Sequence, residues 1–252
     1  MTDTTDLSTP SVRRFHPSDA GVRLVCFPHA GGAASYFFPV SRQLSQVADV
    51  LAIQYPGRQE RRREPFIGSV TDLADVLVEE LRLWADRPLA LFGHSMGALV
   101  AFEVARRLEH EGIRPASFFA SGRAAPSYSR DEGVHRRSDE DLIAKVKELG
   151  GTAGSLLDDP DVMDMLLPVI RNDYRAVETY RLSPGPPLAC PLVALTGDVD
   201  PQVSLEEAQA WRTFTTGKFD LYTYSGGHFF LDAHAASVLG TIRTALASVQ
   251  RF

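Results

Sequence analysis

Leu89-Ala-Leu-Phe-Gly93-His94-Ser95-Met96-Gly97-Ala-Leu-Val-Ala-Phe102 is the stretch whose reading decides the fold. Leu89 to Phe92 is a short apolar run and reads as a buried strand. It stops at Gly93. From Met96 to about Leu108 the apolar residues recur at helical spacing. Between strand and helix lies a serine in the pattern G-x-S-x-G, which in that setting is a nucleophile elbow. Gly93 and Gly97 leave room for a tight turn against neighbouring backbone. The turn exposes Ser95 Oγ beside the first N–H groups of the helix. Those groups lack intrahelical acceptors and carry partial positive charge, so they suit a developing oxyanion.

Working outward, strands alternate with helices. Val22–Phe27, Val50–Gln54, Ala116–Ser121, Pro191–Thr196 and Lys218–Tyr224 read as further strands. Helices are expected over Tyr36–Val47, Ser69–Trp84 and Asp232–Val249, with another opened by a capping box at Ser204 and Glu207. This alternation predicts an α/β fold with a mostly parallel sheet covered on both faces, the α/β-hydrolase arrangement. Residues 21–122 and 188–252 would form the core. Residues 1–20 are polar and read as a loose, flexible tail. Residues 123–187 hold no clear strand. They carry a capping box at Ser138 and Asp141, breaks at Gly150, Gly151 and Gly154, and a long helix over Asp161–Tyr180 containing Pro168. Between Val162 and Ile170 that helix is apolar nearly all round, so it should be covered on both sides or line a greasy chamber. The segment reads as a helical lid.

In parallel sheets, sites gather beyond the carboxyl ends of the strands. Ala30, Ser95, Asp200 and His228 each sit at such an end, so residues far apart in sequence share one rim. A serine hydroxyl needs a base within hydrogen-bond reach. Of the seven histidines, His228 alone follows a strand within a glycine-rich loop. His94, adjacent to the serine, should point away. The imidazole needs a carboxylate on its other nitrogen. Asp198 and Asp200 both follow the penultimate strand; Asp200 lies farther into the loop, and Asp198 is better placed to structure the turn. The order Ser95, Asp200, His228 matches that of α/β-hydrolases. The loop Pro28-His29-Ala30-Gly31-Gly32 resembles an esterase oxyanion loop, with Ala30 or Gly31 offering its N–H beside that of Met96. The chemistry is acyl transfer to water and requires neither metal nor organic cofactor.

The totals exclude several classes. The chain has 252 residues, 44% hydrophobic and 23% charged, with net charge −6. An acidic chain argues against nucleic acid or an anionic membrane as partner. Its two cysteines, Cys26 and Cys190, read as buried thiols suited to a reducing cytoplasm. No apolar run is long enough to span a membrane, and Met1–Pro10 has no signal-peptide pattern. The monomer is the default expectation. The loop Pro56–Pro65 carries four arginines in six residues, Arg58 to Arg63. It reads either as a solvated loop with local Glu partners or as a docking surface for an acidic partner.

At this point the residues resemble a family, the type II thioesterases that edit polyketide and nonribosomal peptide synthases. The likeness rests on Phe27-Pro-His-Ala-Gly-Gly32, Tyr55-Pro-Gly-Arg58 with Arg61 and Glu64-Pro65, Gly93-His-Ser-Met-Gly97, Leu195-Thr-Gly-Asp198 with Asp200, and Gly227-His-Phe-Phe230. It covers the chain after about residue 20. The resemblance implies a Ser95–His228–Asp200 triad, oxyanion donors at Ala30 and Met96, and a mobile lid over an acyl chamber. It implies as substrate an acyl thioester on the phosphopantetheine arm of an acyl or peptidyl carrier protein. A medium-chain fatty acyl-carrier thioesterase and a general carboxylesterase are the competing expectations.

Overall fold

The computed structural model describes residues 9–150 and 160–249. Seven strands form one sheet: β1 (Val12–Arg13), β2 (Arg23–Phe27), β3 (Asp49–Ile53), β4 (Leu89–His94), β5 (Ser117–Ser121), β6 (Leu192–Gly197) and β7 (Phe219–Tyr224). Their spatial order is β1-β3-β2-β4-β5-β6-β7. All neighbours run parallel except β1, which pairs antiparallel with β3. The inner strands are buried along their whole length. That is why they read as continuous apolar runs rather than as alternation.

The helices are α1 (Phe38–Leu44), α2 (Val70–Leu81), α3 (Met96–His110), α4 (Asp139–Leu149), α5 (Pro160–Thr179), α6 (Leu205–Gln209), α7 (Phe230–Ala233) and α8 (Ala235–Val249). Ser69 caps α2 and Ser138 caps α4 through backbone N–H groups three residues on. Ser204 and Glu207 form the expected reciprocal capping box on α6. One sheet face is covered by α2 and α3, whose Leu77, Leu81, Leu99 and Val104 pack on Val25, Leu51 and Leu91. The other is covered by α1 and α8, where Leu44, Leu239 and Ile242 meet Leu24, Val50 and Phe92. Both cysteines are buried and free.

Two expectations need correction. The described part of the expected tail packs on the core: Val12 is buried in β1, and Ser11 hydrogen-bonds to Glu80 through its N–H at 2.9 Å and its hydroxyl at 2.7 Å. A two-residue edge strand is too short to register as periodicity. The closing helix is split, with α7 ending at Ala233 and α8 beginning at Ala235. In the segment between β5 and β6, α5 is not covered all round, and of the two expected outcomes it takes the second, with Leu166 and Ile170 lining an apolar chamber. Met163, Val169 and Ile170 are buried, but Met165 is 66% exposed. Gly151 and Gly154 lie outside the described residues. None of the helices among the described residues is long and apolar enough to cross a membrane.

Candidate active site

Parallel strands place their following loops along one rim, and the expected residues meet there. Ser95 joins β4 to α3 with φ 55° and ψ −117°, a left-handed backbone that few non-glycine residues adopt. Its N–H donates to the Ser121 carbonyl at 2.8 Å, which ties the elbow to β5. The flanking glycines are required by space. A Cβ on Gly93 would strike the Gly97 backbone, and one on Gly97 would overlap the Phe27 carbonyl.

His228 Nε2 lies 3.0 Å from Ser95 Oγ. Its Nδ1 lies 2.9 Å and 3.2 Å from the two carboxylate oxygens of Asp200. His228 and Asp200 are 3% and 8% exposed, so water competes little for these contacts. Asp200 Oδ1 also accepts the Gln202 N–H at 2.8 Å, which orients the carboxylate. Asp198 is exposed and accepts the Gly226 N–H at 2.8 Å, bracing the loop that carries His228. Asp200 therefore stands against His228, and Asp198 steadies the neighbouring loop.

Ala30 and Gly31 differ in what their N–H groups meet. Gly31 donates its N–H to Asp173 Oδ2 at 2.8 Å. Among the described residues the Ala30 N–H has no acceptor, and Ala30 lines the same space as Ser95 and His228. Met96 is the first residue of α3, so its N–H has no intrahelical partner.

Asp173 is a residue that sequence reasoning missed. It sits on α5, is 1% exposed, and pairs with Arg58 through two bonds of 2.8 and 2.9 Å. Arg58 also donates to the Gly32 carbonyl at 2.9 Å. Helix, arginine loop and oxyanion loop are thus fastened at one buried ion pair. A charge more than three turns along a largely apolar helix was the available signal, but nothing in the sequence says which arginine it meets. Arg61 is buried as well, donating to Ser11 Oγ at 2.8 Å and the Gln54 carbonyl at 2.7 Å. Two of the four loop arginines are therefore internal braces; Arg62 and Arg63 are exposed.

His94 turns its ring to Ser121 and not to Ser95. It is fully buried, its ring centroid is 5.1 Å from that of His228, and its Nδ1 hydrogen-bonds with Ser121 Oγ at 3.0 Å. His29 packs 6.0 Å from His94 and 4.9 Å from Phe229. Burial, with His228 close by, keeps His94 well below the usual histidine range. Burial, then His228 and Arg58, pulls His29 down to about 3. Both stay neutral at pH 7, so neither adds positive charge beside His228.

Two narrow chambers meet at Ser95 and His228, each about 60 Å³. One is apolar, walled by Val146, Leu149, Leu166, Ile170 and Phe229. The other is the more polar, walled by Arg123, Arg130, Glu132, Tyr174, Glu178 and Gln202. Among the described residues one group has metal-type ligands close together: Asp131, His135 and Glu178. Its carboxylates are already held by Arg136 and by the N–H groups of Gly133, Val134 and His135.

The thioesterase domain family matches residues 22–246. The probable cadicidin biosynthesis thioesterase of Streptomyces griseus is 49% identical over 98% of this chain and 68% of its own. Thioesterase PikA5 of Streptomyces venezuelae is 48% identical over 88% of this chain and 80% of its own. The solved type II thioesterase BorB from the borrelidin biosynthetic cluster superposes with a TM-score of 0.89 at 47% identity, covering 97% of this chain and 99% of that one. The order of strands, the strained serine between β4 and α3 and these likenesses agree, and the chain belongs to the thioesterase family.

Proposed function

We propose that this thioesterase is a serine hydrolase of the type II class, which frees carrier proteins of stalled or aberrant acyl groups during polyketide or nonribosomal peptide synthesis. The observation that carries the serine mechanism is the alignment Ser95 Oγ, His228 Nε2, His228 Nδ1, Asp200, with successive separations of 3.0 and 2.9 Å. The relatives named above supply the pathway class.

In the first half-reaction Ser95 Oγ attacks the thioester carbonyl while His228 Nε2 takes its proton. The carbonyl oxygen becomes an oxyanion and accepts from the Ala30 and Met96 N–H groups. The C–S bond breaks, and the sulfur leaves as the pantetheine thiol with the proton from His228. In the second, water gives a proton to His228 and adds to the acyl ester. The C–O bond to Ser95 breaks, Oγ regains the proton, and the carboxylic acid departs. Asp200 holds the tautomer and stabilises the imidazolium between these transfers. Helices α4 and α5 wall the apolar chamber and act as the lid over the acyl group.

The substrate is an acyl thioester on the phosphopantetheine arm of a carrier protein. The test compares an acyl-carrier thioester with the matched oxoester. Preferential thioester turnover, lost in Ser95→Ala, is expected. Faster oxoester hydrolysis would favour a general carboxylesterase.

A further inference from the structure

Arg123 follows β5 at the rim and lines the polar chamber with Ser95 and His228. Its Nε is enclosed and has no hydrogen-bond partner. Among the described residues no carboxylate pairs with its guanidinium, unlike Arg130 beside it, which pairs with Glu207. Burial is the main cause that lowers Arg123 to about 10, so it remains a cation at neutral pH. Tyr174 and Gln202 also line this space, Tyr174 between the two chambers, and among the described residues neither side chain has a hydrogen-bond partner. Two acids line this wall: Glu178 is occupied by the Val134 and His135 N–H groups, and Glu132 pairs with Lys145 at 3.9 Å.

A buried donor without an acceptor is costly to maintain unless a ligand supplies one. The two chambers diverge from Ser95, as the two halves of a thioester diverge from its carbonyl. The apolar chamber shares His29, Gly31 and Leu166 with a wider groove passing Phe66, Met165 and Val169. That route suits an alkyl chain. The polar chamber offers donors to an arm rich in acceptors.

We propose that Arg123 is a specificity-determining residue that hydrogen-bonds an amide carbonyl or the phosphate of the pantetheine arm in the polar chamber, leaving the apolar chamber to the acyl group. This rests on the thioesterase reading of Ser95. That reading is checked separately by wild-type turnover of every thioester used and its loss in Ser95→Ala.

The experiment measures kcat/KM for one acyl group on N-acetylcysteamine, pantetheine and phosphopantetheine, in wild type and in Arg123→Gln. The variant should lose about 10- to 100-fold on the longer arms and stay within about twofold of wild type on N-acetylcysteamine. The arm length at which the loss appears distinguishes the distal amide from the phosphate. Unchanged turnover on the short thioester also certifies that the variant is folded. Equal losses on all three arms, or none, would overturn the proposal. So would a loss that tracks oxygen substituents on the acyl chain instead of arm length. Should Arg123→Gln not fold, wild type is assayed on arms lacking the distal carbonyl or the phosphate. Removing one of these groups should cost the same factor, and no cost from either overturns the assignment.

Discussion

Replacing Asp173 with asparagine separates what holds the oxyanion loop from what holds the fold. The carboxylate accepts two bonds from Arg58 and one from the Gly31 N–H, and it is 1% exposed. Asparagine keeps the volume and one acceptor oxygen but leaves the Arg58 cation buried without its counter-charge. Breaking such a pair costs about 3–5 kcal/mol. At roughly 2–4 °C per kcal/mol for a chain of this size, the melting temperature should fall by about 6–20 °C. A second effect is catalytic. Gly31 adjoins Ala30, the proposed oxyanion donor. A loop that slips away from the elbow would lose a donor of the kind worth about 10²–10³ in kcat. The assay is kcat on a saturating acyl-pantetheine at a temperature where the variant is folded by circular dichroism. The double variant Arg58→Met with Asp173→Leu removes both charges and should regain stability, because apolar replacement of a buried pair is often neutral or better. It cannot restore the Gly31 anchor, so kcat should remain low. Wild-type kcat in folded Asp173→Asn would refute the reasoning, because the anchor would then be dispensable.

Ser95→Ala should lower turnover by about 10⁴-fold or more with little change in melting temperature; appreciable remaining activity would remove Ser95 as nucleophile. Gly97→Ala places a Cβ against the Phe27 carbonyl and should cost about 1–3 kcal/mol while slowing fluorophosphonate labelling of Ser95; unaltered labelling and stability would contradict the tight elbow. His29 is held near 3 by burial, then by His228 and Arg58, whereas an unfolded histidine titrates near 6.5. The unfolded chain therefore binds more protons between those values, and this part of the stability is complete above about pH 6.5 and lost as the pH falls towards 3. His29→Phe should flatten the fall of the urea midpoint between pH 7 and pH 5 by up to about 1.4 kcal/mol per pH unit; an unchanged slope would show that His29 is protonated in the fold. Charge reversal at Arg62 and Arg63, the exposed pair of the arginine loop, should raise KM for carrier-bound substrate more than for a pantetheine thioester. Equal effects would argue against carrier docking there.

Two kinds of information are legible in the chain by itself. Buried parallel strands must be apolar along their length, so Leu89–Phe92 and Pro191–Thr196 announced themselves, and each following loop then fell on one rim. A tight strand-to-helix turn needs small neighbours, so Gly93 and Gly97 marked Ser95 as the exposed hydroxyl. Those are local constraints, written within a few residues. The partners of buried charges are not local. Arg58 and Asp173 are 115 residues apart, and an arginine in a polar loop looks the same whether it is solvated or sealed under a helix. Folding also decided that His94 packs on His228 and that, among the described residues, the Gly31 N–H is occupied while that of Ala30 is open and no carboxylate pairs with Arg123. Sequence spacing determines which face of an element a side chain takes; only the packing of distant elements determines what it meets there.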